Sequence, residues 1–179
     1  MFERPRIRSA TLADAEPLAA LAERTFRDTF AADNSADDME AYVHDSFALD
    51  RVRAELADGA NTFLLAFVDG EARPGGYAKL RNWTPDPSVT GPDPVELQRL
   101  YVDRSAMGQG VGAALMRASL DAAGSAGRRT LWLGVWERNA RAISFYRRWR
   151  FETVGEHVFR LGSDDQRDLI MARPVPAAV

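Results

Sequence analysis

Between Leu97 and Arg117 an apolar strand runs into a short polar turn, and an amphipathic helix follows at once. The turn carries glycine at alternate positions, Gly108, Gly110 and Gly112. Glycine lets the backbone approach a ligand closely, with its amide N–H groups turned outward. The start of a helix adds unpaired N–H groups and the positive end of its dipole. Together these features make an anion site suited to a pyrophosphate, and the rest of the chain reads as a frame for it.

The same glycines admit other readings. Gly108, Gly110 and Ala113 formally meet the G-x-G-x-x-G/A fingerprint of dinucleotide folds. In those folds glycine follows the strand almost directly, whereas here residues 103–107 intervene. No Gly-Lys-Ser/Thr follows, which excludes a nucleotide P-loop. A glycine-rich helix start that binds nothing stays open on these residues alone.

The frame is legible from periodicity. Ile7 and Arg8 fall in a first strand, and Thr11 with Asp14 is a capping-box variant. A helix follows, with Ala15, Leu18, Ala19, Ala22, Phe26 and Phe30 at helical spacing. Ser35 and Asp38 repeat the capping signal before Met39, Tyr42, Val43 and Phe47. Asp50 is expected to cap a third helix that stops at Gly59. Strands are expected over 62–68, 77–83, 95–102, 130–136, 153–161 and 167–173, with helices over 109–125 and 139–149. Turns are expected at Asp69-Gly70 and over 162–165, a proline-rich loop over 84–94, and a loose tail from Pro174. This order predicts a mixed α/β sheet with helices on its faces.

In the strand before the glycines, Val95 and Leu97 share one face and Leu100 and Val102 the other, if alternation is strict. The odd step suggests a register slip at Gln98-Arg99, which a β-bulge would produce. Continuous burial of both faces is the alternative.

At 179 residues the chain reads as one domain over 1–179, long enough for a real core. A net charge of −3 argues against a nucleic-acid partner. With no cysteine there is no disulfide, no thiolate zinc site and no cysteine nucleophile, and no metal site is expected. The N-terminal residues lack the apolar core of a signal peptide, and no apolar run is long enough to span a bilayer. The expectation is a cytoplasmic protein without a membrane partner. Its oligomeric state is open, a homodimer included.

A second constellation lies one strand further on, from Asn139 to Tyr146. Asn139 stands where strand passes into helix and reads first as an N-cap. Ala142, Phe145 and Trp149 are expected on the core face, with Tyr146 pointing elsewhere. A Tyr hydroxyl, with an ordinary pKa of about 10, suits protonation of a departing thiolate. Arg147, Arg148 and Arg150 form either a solvated helix end or a phosphate contact.

These two segments resemble the GCN5-related N-acetyltransferase superfamily. Its glycine motif, Arg or Gln followed by x-x-G-x-G/A, aligns with Met107-Gly108-Gln109-Gly110-Val111-Gly112. Its later motif aligns with Asn139, Ala142, Phe145, Tyr146 and Phe151. A further likeness is to spermidine/spermine acetyltransferases of the Pai type, in residues 25–30, 131–137 and 168–171. Two positions depart from the pattern: Met107 replaces Arg or Gln, and Arg150 replaces the glycine that ends the helix.

The resemblance implies a mostly antiparallel sheet of about six to seven strands with helices on both faces. It implies direct transfer of acetyl from acetyl-CoA to an amine, with polyamines such as spermidine or spermine as preferred acceptors. The acetylation of a protein N-terminus, a lysine or a xenobiotic amine is the alternative, as is an acyl-CoA sensor that does not catalyse. A gap between strands 95–102 and 130–136 would hold the pantetheine, bonded by Leu100, Tyr101 and Val102. Met107, Gly108, Gln109, Gly110, Val111, Gly112 and Ala113 would take the pyrophosphate, with Asn139, Phe145 and Arg148 completing the cofactor site. Tyr146 is the expected acid. Glu96 is the expected base, with Glu137 second. His44 and His157 are expected to be structural or surface groups. Substrate contacts are expected from Phe26, Asp28 and Phe30. The seven carboxylates at 28, 33, 37, 38, 40, 45 and 50 are expected to form an acidic cleft that attracts a polycation.

Overall fold

The computed structural model describes residues 5–68, 70–161 and 163–176. Strand β1 (Arg6–Ser9) leads through a single 3-10 turn (Leu12–Asp14) into helices α1 (Ala15–Phe30), α2 (Ala36–Phe47) and α3 (Leu49–Ala57). Strands β2 (Asn61–Phe67), β3 (Gly76–Arg81) and β4 (Pro94–Val102) follow, then α4 (Val111–Ser125), β5 (Thr130–Trp136), α5 (Ala140–Arg148), β6 (Glu152–Leu161) and β7 (Asp164–Pro174). The seven strands form one sheet in the order β1-β2-β3-β4-β5-β7-β6. Every neighbouring pair is antiparallel except β4–β5. No helix among the described residues is long and apolar enough to cross a membrane.

The sheet is covered on both faces, which is why β2 is apolar and buried from Phe63 to Phe67. Its Phe63, Leu65 and Phe67 pack with α1–α3, while Leu64 and Ala66 pack with α4. The first layer is built on Leu18, Leu21 and Phe26 of α1 with Met39, Val43 and Phe47 of α2. The second is built on Val111, Leu115 and Met116 of α4.

The bulge expected in β4 is present. Lys79 pairs with Arg99 and the next residue, Leu80, pairs with Leu97, so Gln98 is the extra residue. The slip reverses the alternation, and Val95, Leu97, Leu100 and Val102 all pack toward the α4 layer. The parallel ladder between β4 and β5 ends early. It joins Pro94–Thr130, Val95–Leu131 and Glu96–Trp132 and goes no further. β4 continues along β3 to Val102, and β5 continues along β7 to Trp136.

Several element ends differ from the sequence reading. Ala48, not Asp50, caps α3, with Asp50 in its first turn; the helix stops at Ala57 rather than Gly59. α4 begins at Val111 because Gly110, with φ of 79°, is its left-handed N-cap. Asp164 and Asp165 belong to β7, while Asp69 and Gly162 of the two expected turns lie outside the described residues, as does the tail beyond Pro176. On α5 the most buried side chains are Ile143 and Tyr146, with Ala142, Phe145 and Trp149 only partly covered. Tyr146 does not point away from the core: it follows Ile143 by three residues and so shares its face.

A buried charge cluster ties the helical layer to the sheet. Glu55 of α3 meets Lys79 Nζ of β3 and Arg99 Nη1 of β4, each at 2.9 Å. Burial pushes the Glu55 carboxyl up, but Arg99 and Lys79 overcome it and hold the group below its ordinary value. Lys79 is pushed down to about 8, first by burial and then by Arg99. Removing the carboxylate leaves two uncompensated buried cations. Glu55→Ala is therefore expected to lower unfolding stability by about 3–5 kcal/mol, measured by urea titration. The end of α5 yields a second expectation. Phe151 N–H donates to the Tyr146 carbonyl (3.1 Å) and Arg150 N–H to that of Arg147 (2.9 Å), a Schellman ending with Arg150 at φ of 64°. A side chain is strained there, so Arg150→Gly is expected to raise stability by up to about 1 kcal/mol in the same titration.

Candidate active site

The glycine turn borders a cavity of about 340 Å³. Gly108 and Gly110 have φ of 78° and 79°, a conformation that L side chains resist. A Cβ at either would meet nothing within 4 Å, so these glycines serve the backbone path and leave open space in front of it. Ala114 is the first residue of α4 to bond within the helix, to the Gly110 carbonyl (3.0 Å). The amides of Val111, Gly112 and Ala113 before it lack an intrahelical acceptor. They line the same cavity with Met107, Gly108 and Gly110.

The opposite wall comes from β4 and α5. Leu100, Tyr101 and Val102 present the edge of β4 that β5 has left, and Asn139, Phe145, Tyr146 and Arg148 project from α5. Asn139 caps α5, its side chain accepting from Ala142 N–H at 3.1 Å. Gln109 is not brought to this wall; its amide nitrogen donates to the Ser105 carbonyl at 2.8 Å. Arg141, which the sequence reading passed over, lines the cavity and donates to Met107 Sδ at 3.2 Å. It places a guanidinium beside the position where Met107 lacks a charge. The free amides, the open space before the glycines and two arginines fit the phosphates of a coenzyme A moiety.

A second cavity, about 250 Å³, lies toward α1 and α2. Phe26 and Phe30 of α1, Tyr42 and Phe47 of α2, Trp136 of β5 and Phe159 of β6 give it aromatic walls. Its polar lining is Arg81, Glu96, Gln98, Arg99, His157, Gln166 and Asp168. Leu100, Tyr101, Asn139, Ala142 and Tyr146 line both cavities, which therefore meet at the gap between β4 and β5. Burial pushes the Tyr146 phenol above its ordinary value, so its hydroxyl keeps its proton at neutral pH.

Some expected residues stand elsewhere or are otherwise engaged. Asp28 is turned to Arg104 (3.4 Å) and does not line the cavity. None of the other six carboxylates between residues 33 and 50 lines it either, so the acidic cleft does not form there. The amphipathic helices turn their aromatic stripe inward and their acids to solvent. Glu137 is paired with Arg167 outside the cavity. His44 is exposed beside Asp45, whereas His157 reaches Asp86 (3.4 Å) and lines the cavity. Glu96 lines the cavity but is already bonded to Arg81 at 2.7 and 2.8 Å.

Asp168 of β7 lines this cavity and is not among the site residues expected from sequence. It pairs across the sheet with Trp136 and His157 and is buried, and burial pushes its carboxyl up to about 6, with His157 opposing. Gly134 of β5 keeps the space beside it clear: a Cβ there would lie 3.3 Å from Asp168 Oδ2 and 3.7 Å from the His157 ring. The alternation of β7 carried a signal for Asp168, because Gln166, Asp168 and Ile170 share its buried face. Among the described residues no group of three or more acidic or histidine side chains is placed to hold a metal.

The chain is similar to known proteins in sequence and in fold. An uncharacterized N-acetyltransferase of Lactobacillus delbrueckii subsp. lactis is 33% identical over 154 residues, covering 86% of this chain and 88% of its own. An uncharacterized N-acetyltransferase of Mycobacterium tuberculosis (strain ATCC 25618 / H37Rv) is 34% identical over 163 residues, covering 90% and 98%. In fold, the chain is similar to the PaiA N-acetyltransferase of Thermoplasma acidophilum, crystallised with coenzyme A, with a TM-score of 0.75 and 21% identity over 96% of this chain and 99% of that one. The model of the acetyltransferase (GNAT) family matches residues 20–151, and the chain belongs to that family.

Proposed function

We propose that this chain transfers acetyl from acetyl-CoA directly to a primary amine, with the transfer taking place at Tyr146. The observation that carries this reading is the position of Tyr146 in the wall shared by the cofactor and acceptor cavities. The turn amides, Arg141 and Arg148 hold the phosphates, and the free edge of β4 at Leu100–Val102 orients the arm that carries the acetyl group. Acetyl-CoA supplies an acyl carbon activated as a thioester: the amine nitrogen bonds to that carbon, the carbon–sulfur bond breaks, and the electron pair leaves with sulfur. The Tyr146 hydroxyl gives its proton to the sulfur. The aromatic walls of the acceptor cavity exclude water from the reacting atoms.

The amine must lose a proton before it attacks. Asp168 is the base favoured by its surroundings, because its carboxylate is buried and burial outweighs the opposing His157 charge, pushing it up to about 6. Glu96 would have to give up Arg81 to take a proton. For Asp168 the sign is clear: its carboxylate forms as pH rises through about 6, so activity increases through that range and falls below it.

The polyamine reading of the acceptor rests on the Pai likeness, and the acidic stretch that supported it does not line the cavity. Acetylation of a peptide N-terminus, a lysine or a xenobiotic amine is equally an N-acetyl transfer. Thiol release from acetyl-CoA across an amine panel containing spermidine, spermine, peptides and amino acids tests the activity. Thermal stabilisation by acetyl-CoA without turnover on any amine would identify a sensor instead.

Two variants test the roles. Tyr146→Phe is expected to lower kcat about a hundredfold while changing the acetyl-CoA dissociation constant little; an unchanged kcat removes Tyr146 as the acid. Asp168→Asn is expected to abolish the rise in kcat/KM through pH of about 6, which Glu96→Gln should retain. The reverse pattern in the two pH profiles assigns the base to Glu96.

A further inference from the structure

The charges in the acceptor cavity do not balance pair by pair. Arg81 and Glu96 neutralise one another. Arg99 is only partly neutralised, because the one carboxylate it touches, Glu55, is shared with Lys79. Arg99 gives Nη1 to Glu55, lays its guanidinium over the Phe47 ring at 5.0 Å, and lines the cavity; Lys79 does not. The cavity wall therefore carries an excess positive charge at Arg99.

An excess negative charge stands at Asp168. Asp168 forms no ion pair among the described residues; the His157 ring, itself turned to Asp86 at 3.4 Å, is the one group whose positive charge, when it is protonated, offsets part of this charge. Tyr42 lines the same cavity as both charges. A third group is also unmatched. The bulge residue Gln98 lines the cavity, and its Oε1 is buried with no hydrogen-bond partner among the described residues. Buried charges and acceptors left unpaired are costly. One cavity that holds an unmatched cation, an unmatched anion and an unmatched acceptor, within aromatic walls, is complementary to a zwitterion with an apolar body.

We propose that the acceptor amine also carries a carboxylate, as a free apolar or aromatic amino acid does, and that Arg99 anchors that carboxylate while Asp168 and Gln98 Oε1 receive the ammonium. This rests on the transferase reading above and adds the acceptor class. The planar fork of Arg99 suits two parallel bonds to a carboxylate. The same charge repels a polycation, so spermidine is a poor acceptor. Loss of a proton from the bound ammonium to Asp168 leaves the neutral amine facing the gap, with its carboxylate still held.

Matched acceptors supply the test, with thiol release from acetyl-CoA as the readout. Phenylalanine, leucine and methionine are compared with their carboxamides, with phenethylamine and with spermidine. The amino acids are expected to exceed their carboxamides in kcat/KM by about tenfold or more, mainly through KM. Arg99→Gln should bring that ratio close to one, and Arg99→Lys should retain part of it. Glu55 keeps Lys79 as a partner in both variants, and thermal stabilisation by acetyl-CoA checks that each remains folded. Carboxamides or spermidine used as well as the amino acids would overturn the proposal, as would an Arg99→Gln ratio equal to that of the parent. Turnover confined to carboxylate-free amines overturns this inference and leaves the transferase reading intact. Acetyl-CoA binding without turnover on any amine overturns both.

Discussion

The parallel ladder between β4 and β5 stops at Glu96 and Trp132, and the site depends on that stop. Past it, each strand remains held by its outer neighbour, β4 by β3 and β5 by β7. The sheet stays intact while two strands part in its middle. Backbone groups that a closed ladder would consume are left along one edge of β4, and unpaired backbone groups inside a fold must find partners. The bulge at Gln98 lies just beyond the last paired residue. It brings Leu100 and Val102 back to the α4 layer and turns Tyr101 toward the other layer. The same slip leaves the Gln98 side chain against the cavity toward α1 and α2.

The parting places two cavities of different chemistry end to end. The α4 side offers helix-start amides and arginines, suited to phosphate. The α1–α2 side offers aromatic walls with a few buried charges. Tyr146 stands between them because α5 follows β5 directly through the Asn139 cap, so the helix starts beside the gap. The Glu55 cluster serves this geometry from behind. It holds Arg99 against Phe47 and links α3 to β3 and β4. Replacing such a cluster by apolar groups is often tolerated for stability, but here one of its cations also faces the cavity.

Local signals carried much of this. The left-handed glycines, the Asn139 cap and the Thr11–Asp14 capping box follow from short-range geometry, and each stands where its residue types indicate. The bulge was legible because a period of two breaks visibly when the apolar residues at 95, 97, 100 and 102 straddle an odd step. Arg150 stands where the resemblance puts glycine, and the Schellman hydrogen bonds that end α5 hold it at φ of 64° all the same. Asp50 failed as a cap because Ala48 already turns the chain between α2 and α3.

The sequence by itself determined the α/β class, the glycine turn before α4 and the Asn139 cap of α5. Those depend on neighbours within a few residues, where periodicity and capping are decisive. Only the tertiary structure decided which charges face the cavity toward α1 and α2. Asp28 and the acids after it lie on the outer faces of their helices, while Asp168, Arg99 and Gln98 converge from β7 and β4. Charges adjacent in sequence share a helix surface, whereas charges that meet in a cavity come from strands joined by sheet register. That register is set by long-range pairing and by the gap between β4 and β5, which no local pattern encodes.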